Sequence, residues 1–343
     1  MSTALVTGAT GLVGSHIVHR LLADGWSVRA LVRNPAGAGR ALPPGVELRA
    51  GDVLDAASFG DAARGAHAVF HTAASIIVPG GWEAYRVTNI EGTRNAIAAA
   101  SGAGARLLHL SSVAVYGAST RYEAAKRGGR TDEDTPLVPL PERAFYARSK
   151  RDSEALVLDA HARGEVWATA VRPDVIYGPR DRQFVPRMAK LLRLRLPVPL
   201  LRGGRSTFAV VHAANVADGA ILAATTDAAG GRAYNLANDH DVTVRRFFEL
   251  AGEGLGLRPF FVPVPLSLAR GGLRAAKAAS RALTGGRFNL LSNSAIDFIA
   301  EDNPFSSDRA KRELGWSPAV RPETGVPEAF RWWAMQEKQK GAT

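Results

Sequence analysis

A doubly wound parallel α/β sheet with a smaller, mostly C-terminal α/β cap is the fold class this sequence predicts, on three observations. Short and almost wholly apolar runs alternate with amphipathic windows from Thr3 to Val171. A glycine-rich turn, Gly8 to Gly14, follows the first of those runs directly. Beyond Pro173 the alternation stops and proline-rich pieces take over. Runs that are apolar at every position are strands buried on both faces. Strands separated by helices are joined by crossovers, which makes the sheet parallel.

In order, strands are expected at Thr3–Thr7, Ser27–Val32, Val46–Ala50, Ala68–His71, Arg106–Leu110 and Trp167–Val171. Helices are expected at Leu12–Ala23, Ala56–Arg64, Trp82–Ala100 and Phe145–Arg163, while the Gly/Ala-rich Asn34–Pro44 reads as a surface loop. In the second half, helices lie near Phe184–Leu194 and Asn215–Thr226, and another opens at Thr243 as its N-cap. The tail carries a short helix, Asp308–Leu314, closed by Gly315, and a longer one around Pro327–Lys338. Thr207–Leu222 and Arg232–Leu236 are expected to return to the sheet.

Composition narrows the function classes. The 343 residues contain no Cys, which excludes a disulfide framework, a thiol nucleophile and thiolate metal sites, and fits a reducing cytoplasm. Neither a signal peptide nor a span of about 18 apolar residues is apparent. The formal charge of +11 first means a solvated basic surface, and second a surface for an anionic cofactor, acidic substrate or membrane. Nucleic acid is not expected, because the aromatics are scattered rather than interleaved with Arg. No metal is expected either, since no carboxylate cluster accompanies the 8 His.

The turn Thr7-Gly8-Ala9-Thr10-Gly11-Leu12-Val13-Gly14 opens a helix at the end of the first strand. Gly8 permits the tight turn, Gly11 lets backbone amides approach a pyrophosphate, and Gly14 allows close helix packing. Gly8, Thr10, Gly11, Leu12, Val13 and Gly14 are therefore the candidate cofactor cradle, and the fold becomes a Rossmann-type one. Residues 1–178 and 207–240 would form the dinucleotide-binding domain, and 179–206 and 241–343 the substrate-binding cap. At the end of the second strand stands Arg33, where such folds usually place an acid for the ribose hydroxyls. A guanidinium can clamp a 2′-phosphate that a carboxylate would repel, so NADP(H) is favoured over NAD(H).

Downstream, Ser111 and Ser112 end the fifth strand, and Tyr146 and Lys150 share one helix face at i and i+4. A free phenol has a pKa of about 10 and is a poor base at neutral pH, but a nearby ammonium favours phenolate. Tyr146 can then exchange a proton, while Ser112 hydrogen-bonds the substrate oxygen as charge builds on it.

Taken together and in this order, these pieces make the chain resemble the extended short-chain dehydrogenases/reductases, or NAD-dependent epimerase/dehydratase family. The matching segments run in order: Thr7–Gly14, Gly51-Asp52-Val53, His71–Ala74, Asn89–Thr93, Ser111-Ser112, Tyr146–Lys150, Arg172-Pro173, Tyr177–Pro179, Val211-His212, Asn215–Ala217 and Leu314–Trp316. The resemblance implies that Ser112, Tyr146 and Lys150 are the catalytic triad. It implies that Asp52 and Val53 meet the adenine, that Thr72, Ala73 and Ala74 line the cofactor path, and that Asn89 sits near it. Pro173 and Val175 would flank the nicotinamide, and Ser111 would help orient the cofactor.

The 33 residues between Ser112 and Tyr146, with the basic insert Ala118–Arg130, look more like dihydroflavonol-reductase-like and 3β-hydroxysteroid-dehydrogenase-like members than like compact sugar-nucleotide epimerases. The expected activity is NADP(H)-dependent interconversion of a ketone and a secondary alcohol on a mostly apolar small molecule: steroid or terpenoid, flavonoid-like, or β-keto acyl. One alternative is a sugar-nucleotide epimerase or dehydratase with tightly bound NAD, its diphosphate held by Arg182, Arg202 or Arg205. Another is a non-catalytic NADP-sensing regulator. Arg270, Arg274, Lys277 and Arg281 form a basic stripe on a helix from Ser267 to Leu283, first a solvated face, otherwise a peripheral contact with anionic membrane or a docking face for an anionic acyl substrate. Helices 82–100 and 145–163 would support a homodimer as a two-fold bundle.

Overall fold

Seven strands form the central sheet of the computed structural model, which describes residues 2–117, 129–237, 240–284 and 293–341. They are β1 (Thr3–Thr7), β2 (Ser27–Val32), β3 (Val46–Ala50), β4 (Ala68–His71), β5 (Arg106–Leu110), β6 (Ala168–Pro173) and, from late in the chain, Ala233–Leu236. Every pairing is parallel, in the order β3-β2-β1-β4-β5-β6 with Ala233–Leu236 on the outer edge of β6. The order reverses between β1 and β4, so the connections leaving their carboxyl ends run to opposite faces of the sheet and leave a crevice there.

Two apolar layers cover the sheet. On one face Val6, Ile17, Leu21, Leu108 and Val171 pack with the late helix Ala213–Thr225. On the other, Leu5, Phe59, Val69, Leu107 and Val157 join α3 (Ala56–Ala63), α5 (Gly92–Ala103) and α6 (Phe145–Ala162). A separate cluster around Tyr177, Phe208, Phe247, Phe330 and Trp333 organises the remaining elements. Among the described residues no helix is long and apolar enough to cross a membrane.

Three expectations are corrected. Asn34–Pro44 contains a helix, α2 (Pro35–Ala41): the Asn34 side chain accepts from Gly37 N at 3.1 Å and proline occupies the first turn. An Asn-Pro start supplies both N-cap acceptor and preset φ, and it outweighs the Gly/Ala composition. The long window at Trp82–Ala100 is broken into α4 (Gly81–Tyr85), a wide π turn (Arg86–Glu91) and α5. Thr207–Leu222 does not rejoin the main sheet as a strand. Its strand Val210–His212 pairs instead with Val175–Tyr177, and the edge of β6 is taken by Ala233–Leu236.

The N-cap at Thr243 is present, its side chain accepting from Arg246 N at 3.1 Å, and Gly315 closes its helix at φ 66°. Of the insert Ala118–Arg130, residues 118–128 lie outside the described set. The helix Leu266–Thr284 is present with Arg270 and Arg274 exposed, and the side chains of Lys277 and Arg281 lie outside the described set.

Candidate active site

At the carboxyl ends of β1, β4 and β5 a cleft of about 1010 Å³ runs from Arg33 at one end to Tyr146 at the other. Its floor is the glycine loop. Gly8 adopts φ 66°, and a Cβ there would lie 2.8 Å from both Ala73 N and Thr72 Oγ1; a Cβ on Gly14 would lie 2.3 Å from Gly8 O. The loop is folded onto itself and onto β4 as only glycine allows. Helix α1 (Leu12–Ala23) begins at Gly11 with no side-chain cap and no acid in its first turn. Its first amides and positive dipole end therefore remain available to an anion, and Thr10, Gly11, Leu12, Val13 and Gly14 all line the cleft. A dinucleotide pyrophosphate fits this cradle.

The other predicted contacts are distributed along the same cleft. Arg33 is exposed at its mouth, and Asp52 and Val53 form the next stretch of wall. Thr72, Ala73 and Ala74 follow, with Thr72 Oγ1 donating to Thr7 O at 2.7 Å. Ser111, Ser112, Pro173 and Val175 surround the far end with Tyr146 and Lys150. Asn89 does not line the cleft. It is 2% exposed in the π turn, its Oδ1 accepting from Ser75 N at 2.7 Å and its Nδ2 donating to Ser75 O and Ser149 Oγ. With all its polar atoms engaged, it braces the loop after β4 against α6.

The geometry at the far end is set by α6. Tyr146 and Lys150 lie one turn apart on its inner face. Lys150 is buried, its Nζ donating to Leu110 O at 2.6 Å, and desolvation lowers its pKa to about 8, opposed by the charge of Glu154. Burial raises Tyr146 above the usual phenol range, against a hydrogen bond with Ser112 that lowers it. Ser112 Oγ also accepts from Ala114 N at 3.2 Å, which pins the serine at the start of a 3₁₀ turn (Val113–Tyr116). The three groups can thus hold a substrate oxygen, protonate it and stabilise the phenolate left behind.

Some residues around the far end carried no signal in the sequence. Tyr85, just behind the lining, donates its hydroxyl to Ile76 O at 3.0 Å and meets Tyr146 edge-on, 6.5 Å between centroids. Ile76, Val113, Ile176 and Phe184 add apolar wall to the cleft that Tyr146 lines. Of the three arginines considered for a diphosphate, only Arg182 reaches the cleft, and its Nη2 donates to Thr10 O at 3.3 Å. Arg202 instead meets Ala300 O and Glu301. No metal-ligating cluster occurs among the described residues.

A model of the NAD dependent epimerase/dehydratase family matches residues 4–237. The chain is 30% identical over 330 residues to the 4-hydroxy-2-methyl-3-oxo-4-farnesyl-3,4-dihydroquinoline-1-oxide ketoreductase of Stigmatella aurantiaca, covering 94% of this chain and 93% of that one. It is 29% identical over 338 residues to the 2-alkyl-3-oxoalkanoate reductase of Shewanella oneidensis, covering 95% and 85%. Among solved structures, that of gox2253 matches with a TM-score of 0.76 at 27% identity, over 98% of this chain and 99% of the other.

Proposed function

The chain belongs to the NAD dependent epimerase/dehydratase family as an NAD(P)-dependent oxidoreductase, and from that premise we propose that it is an NADPH-dependent reductase of a ketone carried on a mostly apolar small molecule. The observation that carries this reading is the apolar wall that Ile76, Val113, Ile176 and Phe184 contribute to the cleft Tyr146 lines. The names of the two relatives point the same way: each acts on a 3-oxo compound bearing an alkyl or farnesyl chain.

Bound in the cleft, NADPH supplies the hydride. The Ser112 hydroxyl holds the carbonyl oxygen, and Tyr146 delivers the proton to it as charge develops. Burial raises the phenol, so at neutral pH Tyr146 rests in the protonated form that reduction requires. Lys150 then stabilises the phenolate. Since Lys150 is charged below about 8 and loses its proton above it, the reduction rate should hold from pH 6 to 7.5 and fall as pH rises through 8 to 9. A rate that climbs over that window removes Lys150 from the mechanism.

Arg33 would set cofactor choice by clamping the 2′-phosphate. Charge-assisted hydrogen bonds contribute about 1.5–3 kcal/mol, so Arg33→Asp should lose roughly 10- to 100-fold in NADPH affinity with NADH affinity unchanged or improved. Fluorescence titration with both cofactors checks it, and equal losses for the two would refute the assignment. The function itself is tested by offering purified protein NADPH with 2-alkyl-3-oxoalkanoates, aryl ketones and 3-oxosteroids, beside UDP-glucose. Oxidation of NADPH by a member of the ketone panel is expected. Epimerisation of the sugar nucleotide with bound NAD would overturn the reading.

A further inference from the structure

Behind Lys150 lies a group of buried polar atoms that the reaction above does not use. His71 ends β4 and His109 stands opposite it in register on β5. Their rings stack with centroids 5.8 Å apart and planes 26° apart, and neither residue is more than 2% exposed. Each ring commits one nitrogen: His71 Nδ1 meets Thr7 Oγ1 at 2.9 Å, and His109 Nε2 meets Ser153 Oγ at 3.1 Å. The remaining nitrogens, His71 Nε2 and His109 Nδ1, together with Ser111 Oγ, are buried without a hydrogen-bond partner in the protein. An unpaired buried polar atom costs about 1–3 kcal/mol, so three on neighbouring positions at the ends of the paired strands β4 and β5 call for an explanation.

Lys150 offers it. An ammonium has three donors, and Leu110 O accepts only one of them. Leu110 lies between His109 and Ser111, so the ammonium is delivered to the same stretch of β5. The proton on His109 is assigned from its neighbours. Ser153 Oγ donates to Lys150 O at 3.2 Å and so accepts from His109 Nε2, which leaves Nδ1 as a bare acceptor.

We propose that His71, His109 and Ser111 form a polar nest that holds one buried water against Lys150, and that His109 Nδ1, through this water, is the acceptor that keeps the ammonium charged and aimed at Tyr146. The inference rests on the roles given to Tyr146 and Lys150 above. A buried water needs two to four polar partners, and this nest supplies them. Burial and the Lys150 charge hold both rings well below the ordinary histidine value, His71 to about 3, so they stay neutral and able to accept. The charged and titratable groups acting on Lys150 are Glu154 on its own helix, His71 from β4 and His109 from β5, with Tyr146 one turn earlier on α6, and Glu154 is itself tied to Arg172 of β6. His71 and His109 are therefore positioning residues.

The test reads Lys150 directly, without substrate or cofactor. The chain has only seven lysines, so full-length protein labelled with 13Cε-lysine can be titrated by NMR, with Lys150 assigned through Lys150→Arg. His109→Gln keeps a polar atom where Nε2 met Ser153 but removes the Nδ1 acceptor, and it should lower the Lys150 midpoint by about half a pH unit or more. His109→Asn puts its carbonyl where Nδ1 was and should restore the midpoint to within about 0.2 unit. Ser111→Ala, which changes packing little, should lower it by a smaller amount. An unmoved midpoint in His109→Gln, or equal shifts in the Gln and Asn variants, would overturn the proposal. Because no ketone is present, that failure is separate from a failure of the reduction itself, which the substrate panel reads.

Discussion

Tyr146→Phe should lower the rate of NADPH-dependent ketone reduction by about 10²- to 10⁴-fold while NADPH affinity stays within about threefold. Phenylalanine keeps the ring, its edge-on contact with Tyr85 and its place on α6, and removes only the hydroxyl. The lost group is the proton donor, and the barrier rises by about 2.7–5.5 kcal/mol at roughly 1.4 kcal/mol per factor of ten. Parallel turnover and fluorescence-binding measurements separate the two quantities. If turnover in the variant matches the parent, Tyr146 is not the acid.

The largest stability effect is expected from Glu154, one turn beyond Lys150 on α6. Its carboxylate accepts from Arg172 Nε at 2.9 and 3.1 Å and from Nη2 at 2.5 Å, with both side chains almost fully buried. Arg172 Nη1 donates to the Tyr116 hydroxyl at 2.8 Å, and that hydroxyl donates to Asn235 Oδ1 at 2.9 Å. One ion pair thus links α6, β6, the turn after Ser112 and the edge strand Ala233–Leu236. Glu154→Leu keeps the volume but leaves the Arg172 charge buried and unpaired, which costs about 3–5 kcal/mol. The denaturant midpoint at neutral pH should fall accordingly, and adding Arg172→Met should recover part of the loss. A change under about 1 kcal/mol would show that the pair is dispensable.

The course of most strands was legible because each is a short, largely apolar run bounded by glycine or a polar turn; β3, with Glu47 and Arg49, is the exception, an edge strand that is not buried on both faces as expected. The expected first five strands carry the observed limits, and the sixth starts one residue later. The glycine loop was legible for a different reason: steric demand at Gly8 and Gly14 leaves no other residue type, so the requirement is written in composition. Tyr146 and Lys150 were readable as a pair through helical period, and as candidate site residues through the ordered segments that surround them. By contrast, Asn34–Pro44 misled because small residues are poor witnesses of burial, yet Ala38 and Leu42 belong to the core. Asn89 misled because position near the cofactor path says nothing about which way an amide faces.

The residue pattern by itself determined the strand sequence, the anion-binding turn and the pairing of Tyr146 with Lys150 on one helix face, since each depends on contacts within a few residues or on one helix turn. Only the tertiary structure decided that Glu154 meets Arg172, that His71 stacks on His109, that Asn89 faces inward, and that Arg182 but not Arg202 reaches the cleft. Those pairings join positions far apart in the chain. Their distances follow from how sheet and helices pack, and no local periodicity records that.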